Sequence, residues 1–237
     1  MAPAPILCYV TDRGSLPAPQ ADSLLAAIRR AVAAGVDWIQ IREKDLSGRA
    51  LATLVREAVA AARGTPTRIL INGRLDVAFA ARAAGIHLGS DSFPVADVAA
   101  WCAKNPPRCA AQSRKEQDAG LPISSEQVPT GATQPFLIGA SCHSLDDARA
   151  AARDGAHYII FGPIFPTPSK LQYGPPLGLA RLEKVCGAVQ IPVLAIGGIT
   201  LDNARECLRA GAAGLAAIRL FQDASDLPAL VSSLRNV

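Results

Sequence analysis

Thr167, Ser169 and Lys170 follow one another closely in the stretch His157–Lys170, HYIIFGPIFPTPSK. Two hydroxyls and an ammonium supply hydrogen-bond donors and one positive charge, the complement of an anionic, phosphorylated ligand. Groups of the same kind recur wherever a short apolar run ends: Gln40, Arg42 and Lys44 in QIREK, Asn72 in INGR, Ser141-Cys142-His143, Gly197-Gly198, and Ile218-Arg219. Cations and neutral donors outnumber carboxylates in this set, so it reads as a site for an anion, with phosphate the natural candidate. Paired glycines carry no Cβ and let backbone N–H groups come close to a phosphate. His143 is the group able to relay a proton near neutral pH. The plainer readings are a surface turn that holds a lysine, and a histidine satisfied within its own loop. Cys142 alternates to the other face of its strand, which assigns it to packing rather than to thiol chemistry.

These groups need rigid elements behind them. Tyr158–Phe161 is an apolar run of strand length between Asp154-Gly155 and Gly162-Pro163, as suits a strand buried on both faces. Pro163, Pro166 and Pro168 restrict φ in the loop that follows. A helical segment ending at Ala-Gly or Asp-Gly, with an apolar strand at once after it, recurs in AAGVDWIQIRE (33–43), AAGIHLGSD (83–91), RDGAHYIIFGP (153–163) and RAGAAGLAAI (209–218). Glycine there is expected in the left-handed conformation that turns a helix into a strand. The first two copies lie about fifty residues apart, as do the last two, so they mark alternate joins of a longer series of strand-plus-helix units.

Ile6–Val10, Arg68–Ile71, Phe136–Ala140 and Val193–Ile196 fill in the strands between them. Helical patterns at about 21–34, 47–63, 74–84, 94–103, 144–153, 177–188, 201–210 and 226–235 supply the crossovers. Strands alternating with helices in this number predict a closed (β/α)8 TIM barrel, 1–237 as one domain, with its functional groups at the C-terminal strand ends. A doubly wound open sheet is the alternative, but YVTDRGSLP after the first strand lacks the expected G-x-G-x-x-G. Residues 104–135 are polar, proline-rich and aperiodic, and are expected to form a flexible insertion on the face opposite the site. Its charges Arg114, Lys115 and Glu116 read as a solvated surface.

The 237 residues carry 24 Lys and Arg against 20 Asp and Glu, a net charge of +4. The basic residues are scattered, without the stripe that nucleic acid binding needs. No run is long enough to span a membrane, and MAPAPILCYVTD lacks the cationic flank and apolar stretch of a signal peptide. Cys8, Cys102, Cys109, Cys142, Cys186 and Cys207 include no C-x-x-C and no zinc-ligand spacing, and read as reduced packing residues of a cytoplasmic protein. A small acidic metabolite is the expected partner; nucleic acid and membrane are not, and a homo-oligomer is left open.

YVTD (9–12), WIQIREKD (38–45), INGRLDVA (71–78), IHLGSDSFP (86–94), IGASCHS (138–144), FGPIFPTPSK (161–170), GLARL (178–182) and AIGGIT (195–200) occur in this order. With them the chain resembles the thiamine phosphate synthase/TenI superfamily over its length apart from 104–135. The resemblance implies a (β/α)8 barrel acting late in thiamine assembly. Synthases of the family couple a hydroxymethylpyrimidine diphosphate to a thiazole phosphate with Mg²⁺. TenI-type relatives instead aromatise a thiazole carboxylate phosphate by moving a proton. Carried over, Gln40, Arg42 and Lys44 match positions for pyrimidine and diphosphate, and Asn72, Ser141, Thr167, Ser169 and Lys170 match further diphosphate contacts. Gly197, Gly198, Ile218 and Arg219 match the thiazole-phosphate pocket.

Two Mg²⁺-holding aspartates of the synthases fall here at Gly73 and Ser92, which leaves Asp91 as the candidate metal ligand. Arg219 stands where synthases tend to have serine. The same departures resemble the TenI branch, whose acid/base histidine matches His143. The leading expectation is therefore a thiazole tautomerase-like enzyme, with His143, Lys170 and Ser141 catalytic and no certain cofactor. Gly198 and Arg219 would hold the phosphate, and Arg42 and Lys170 the carboxylate. The alternative is a thiamine phosphate synthase that needs Mg²⁺ and releases diphosphate. A second alternative is a regulatory protein that binds a phosphorylated ligand without chemistry.

Overall fold

The computed structural model describes residues 4–16, 20–106, 135–167 and 175–237. Eight parallel strands close into a barrel in chain order: β1 (Ile6–Val10), β2 (Trp38–Ile41), β3 (Arg68–Asn72), β4 (Gly85–Leu88), β5 (Leu137–Cys142), β6 (Tyr158–Phe161), β7 (Val193–Ile196) and β8 (Gly214–Ala217). β8 returns to β1 through pairs from Ile6↔Gly214 to Tyr9↔Ala217, so the sheet has no open edge. Around it lie α1 (Ala21–Ala33), α2 (Gly48–Ala61), α3 (Leu75–Ala80), α4 (Val95–Lys104), α5 (Leu145–Arg153), α6 (Leu179–Cys186) and α7 (Leu201–Arg209). The short α8 (Arg219–Gln222) follows β8 directly, before α9 (Leu227–Arg235). This is the TIM barrel expected from the alternation of strands and helices. No helix among the described residues is long and apolar enough to cross a membrane.

Alternation along each strand builds two cores. Leu7, Tyr9, Ile39, Ile41, Ile69 and Ile71 face outward and pack with the apolar stripes of the helices, among them Leu24, Ile28, Leu51 and Val55. Cys8, Val10, Leu70, Tyr158, Ile160 and Leu194 point inward and fill the barrel. Cys142 sits in the outer core, as its alternation requires. Large inward side chains need small partners. Gly139 pairs with Tyr158 across β5 and β6, and a Cβ on Gly139 would lie 2.0 Å from that ring. Trp38 packs against the same ring with centroids 4.7 Å apart.

Gly35, Gly155 and Gly211 take the expected left-handed backbone, at φ of 78°, 99° and 92°. Gly85 does not. It opens β4, while Arg82 carries the positive φ of 55°, and α3 stops at Ala80 instead of running to 84. Gly85 answers a different need, because a Cβ there would lie 2.4 Å from the Leu137 carbonyl oxygen. α4 continues through Lys104. Of the segment 104–135, residues 107–134 lie outside the described residues, and Cys109, Arg114, Lys115 and Glu116 with them. Cys8, Cys102, Cys142, Cys186 and Cys207 are free thiols.

Candidate active site

The C-terminal strand ends open on a cavity of about 570 Å³. Gln40, Arg42, Lys44, Asn72, Ser141, His143, Thr167, Gly197, Gly198, Ile218 and Arg219 all line it, together with Asp91. Ser169 and Lys170, assigned to the same site, lie outside the described residues. β2 ends at Ile41, so Arg42 and Lys44 reach the cavity from a loop and not from the pleat of a strand.

A buried latch holds that loop. Thr11 donates from Oγ1 to Glu43 Oε1 at 2.6 Å, and the Arg13 amide donates to both Glu43 oxygens at 3.2 and 3.1 Å. The Arg42 amide in turn donates to Thr11 Oγ1 at 3.0 Å. Desolvation pushes the Glu43 carboxyl above its ordinary pKa despite these donors. The QIREK motif reads as a charged tip, yet its Glu43 is buried against β1 and fixes the backbone of Arg42. Lys44 instead pairs with Asp91 at 3.3 Å, both side chains exposed, and that ammonium holds the Asp91 carboxyl below its ordinary pKa.

Gln40, 3% exposed, donates from Nε2 to Asn72 Oδ1 at 3.1 Å. Its Oε1 is buried without a partner among the described residues. Such an atom costs about 1–3 kcal/mol while unpaired, so an N–H on a ligand would be drawn to it. On the next strand lies a site residue hidden in the apolar run GIHL. His87 is buried, with Nε2 2.8 Å from Ser141 Oγ and Nδ1 3.2 Å from Tyr158 Oη. Burial, and then the charge of Arg42, push its pKa down to about 3. Its signals in the sequence are its place at the C-terminal end of the fourth strand and its inward register, two residues after Gly85.

His143 is not satisfied within its own loop: its Nδ1 lies 2.5 Å from the Gly162 carbonyl oxygen after β6. A carbonyl only accepts, so Nδ1 carries a proton, and in the neutral ring Nε2 is then the acceptor. Ser144 closes a capping box on α5 directly after it, which fixes where the β5 loop ends. Gly197 and Gly198 sit at φ of 97° and 67°. A Cβ on either would press on the β6 loop, 2.5 Å from Pro163 Cβ and 2.6 Å from the Pro166 carbonyl oxygen respectively. After the neighbouring strand β8, α8 carries Arg219 and is tied down by Gln222, which accepts from Tyr9 Oη at 2.8 Å and donates to Ser15 Oγ at 2.7 Å.

Mg²⁺ seeks oxygen anions in a tight octahedron. Gly73 offers no side chain, and Ser92 Oγ is taken up by the Gly89 amide at 2.9 Å. Asp91 faces an ammonium. Among the described residues no three His, Cys, Asp or Glu side chains gather as a metal site. The donor set does not fit the ion that the synthases of the family hold.

A polar, cation-lined opening at the C-terminal rim of a closed parallel barrel defines the class, a TIM-barrel enzyme with its site built from strand-end loops. The family model described as thiamine monophosphate synthase matches residues 7–106 and 123–221, and the chain belongs to this family, the thiamine phosphate synthase/TenI superfamily. The stretch it passes over, 107–122, lies inside the segment read as an insertion. The chain is 34% identical over 232 residues to the thiamine-phosphate synthase of Roseiflexus castenholzii, covering 98% of this chain and 87% of that protein. It is 38% identical over 211 residues to the thiamine-phosphate synthase of Methanoculleus marisnigri, with 88% and 84% covered. A solved structure of thiamine phosphate pyrophosphorylase from Pyrococcus furiosus matches with a TM-score of 0.74 at 29% identity, covering 98% of this chain and 94% of that one. These relatives favour the synthase, second in the sequence reading, over the tautomerase placed first.

Proposed function

We propose that this enzyme is a thiamine-phosphate synthase, joining a hydroxymethylpyrimidine diphosphate to a thiazole phosphate with release of diphosphate. One observation carries the reading. In a chain 34% and 38% identical to proteins of that name, Gln40, Arg42, Lys44, Asn72, Ser141, Thr167, Gly197, Gly198 and Arg219 line a single cavity. Two phosphorylated substrates need two anion grips. Arg42 and Lys44, with Asn72, Ser141 and Thr167, face the diphosphate; Gly197, Gly198 and Arg219 hold the single phosphate. Ser169 and Lys170, outside the described residues, match further diphosphate contacts by their place in the sequence. Gln40 Oε1 accepts an N–H from the heterocycle.

In the reaction the thiazole ring nitrogen bonds to the methylene carbon while the C–O bond to diphosphate breaks, and the departing oxygen keeps both electrons. Fixed cations beside that oxygen stabilise its growing charge. Arg42 is held ready by the Thr11–Glu43 latch. Exposed ion pairs like Lys44–Asp91 are worth about 0–1 kcal/mol, so Lys44 can leave Asp91 for an arriving diphosphate.

A second reading, the TenI-type tautomerase, is favoured by two features: the positions without carboxylates, Gly73 and Ser92, and His143 in the cavity lining with its Nδ1 held by the Gly162 carbonyl. In that case Nε2 takes a proton from one ring carbon and returns it to another. The deciding experiment offers the purified enzyme both substrate sets, each with Mg²⁺ and with EDTA. Thiamine phosphate and free diphosphate as products support the synthase. Aromatisation of a thiazole carboxylate phosphate alone, insensitive to EDTA and lost in His143→Ala, overturns it in favour of the tautomerase. Turnover of neither set overturns both.

A further inference from the structure

Behind Ser141, one of the diphosphate contacts proposed above, stand two residues that none of these steps uses: His87, whose Nε2 is 2.8 Å from Ser141 Oγ, and Tyr158, whose Oη is 3.2 Å from His87 Nδ1. We propose that Tyr158 and His87 are positioning residues that commit the Ser141 hydroxyl to donating a hydrogen bond into the cavity, toward the phosphoryl oxygens of a ligand. The inference rests on reading the cavity as a phosphate site.

The direction of these hydrogen bonds follows from counting protons. Tyr158 is wholly buried, and His87 is the hydrogen-bonding partner of its hydroxyl among the described residues. If Nδ1 carried the ring proton, it would donate to the phenol oxygen, and the phenol proton would be buried without an acceptor. Buried donors are rarely left so. With the phenol donating, Nδ1 accepts, and the single proton of the neutral ring is on Nε2. Nε2–H then donates to Ser141 Oγ, and the proton of the serine is turned away from the imidazole.

This polarity is the reverse of a serine nucleophile, whose histidine takes the proton. It suits an oxyanion, which only accepts. The backbone is shaped to the arrangement, since a side chain at 139 would occupy the place of the Tyr158 ring. Trp38 packs against the same ring, with centroids 4.7 Å apart. The phenol and imidazole therefore have fixed places, and with them the serine.

Nitrogen-15 NMR of the full-length enzyme at neutral pH reads the tautomer directly, and three histidines make the assignment tractable. His87 is expected as the Nε2–H form; an Nδ1–H form at His87 overturns the proposal. Calorimetric titration with inorganic diphosphate supplies the second readout. Ser141→Ala and Tyr158→Phe should each weaken binding about tenfold. The double variant should bind no more weakly than Ser141→Ala alone, because Tyr158 acts through the serine. Additive losses overturn the proposal, as does wild-type affinity in a folded Tyr158→Phe protein. Should that variant not fold, the wild-type tautomer decides by itself. Should wild-type enzyme fail to bind diphosphate, the phosphate reading of the cavity falls, and the tautomer still tells whether the serine is held as a donor.

Discussion

Acid should unfold this enzyme through His87. The ring is 1% exposed, and its pKa is held down to about 3 against an ordinary value of 6.5. Folding therefore favours the neutral ring. The stability it contributes is fully present above the ordinary value and is lost as pH falls from there toward the folded value. Each unit of difference is worth about 1.36 kcal/mol. Between about pH 7.5 and about pH 5 the loss comes to about 2 kcal/mol, and to about 5 kcal/mol once the titration is complete. Small folded proteins have only about 5–15 kcal/mol in hand, so the smaller figure is already large. Urea unfolding of wild type and His87→Gln across this range isolates the effect, because glutamine does not titrate and the other groups cancel in the difference. The variant should be the less stable protein at neutrality, with the gap closing by about 2 kcal/mol at about pH 5. A gap that stays constant over that interval refutes the neutral, buried imidazole.

Two further substitutions probe the rim. Gly198→Ala places a methyl 2.6 Å from the Pro166 carbonyl oxygen at a φ of 67°. Steady-state kinetics should show KM for the thiazole phosphate raised about tenfold or more, with about 1–3 kcal/mol of stability lost to overpacking. Thr11→Val keeps the shape of the side chain but takes one of two donors from Glu43 Oε1 and leaves the Arg42 amide without its acceptor. Thermal unfolding should report a cost of about 1–3 kcal/mol, and kcat/KM should fall with it; an unchanged kcat/KM would mean that the latch does not position Arg42.

Most of the barrel is legible in the amino-acid order because strands buried on both faces are unbroken apolar runs. Tyr158–Phe161 and Val193–Ile196 form strands with the expected bounds. α8 escapes because four residues are too few to show a helical period. Gly85 misleads because one residue type serves two purposes, a left-handed turn and a close approach of strands. The rim of the site is legible for a related reason: Arg42, Asn72, Ser141 and Gly197 are conspicuous where apolar runs stop. Its floor is not. His87 looks like part of a core strand, Tyr158 like any buried aromatic, and Glu43 like a surface charge until Thr11, 32 residues away, is brought beside it. The choice between synthase and tautomerase turned on Gly73 and Ser92 when read locally, whereas similarity spread over the chain weighs the other way.

The fit of Tyr158 into the space left by Gly139 makes these two positions a single unit of change. A larger residue at 139 is admissible only if 158 shrinks in the same step, and a smaller side chain at 158 leaves a hollow beside Gly139. The loops above the strands are coupled at fewer places, where Gly197 and Gly198 meet the β6 loop and where Glu43 meets Thr11, and exposed positions such as Lys44 lie outside those couplings. New substrates for this scaffold are therefore reached by editing its mouth, while the stone at the bottom of the well stays where it is.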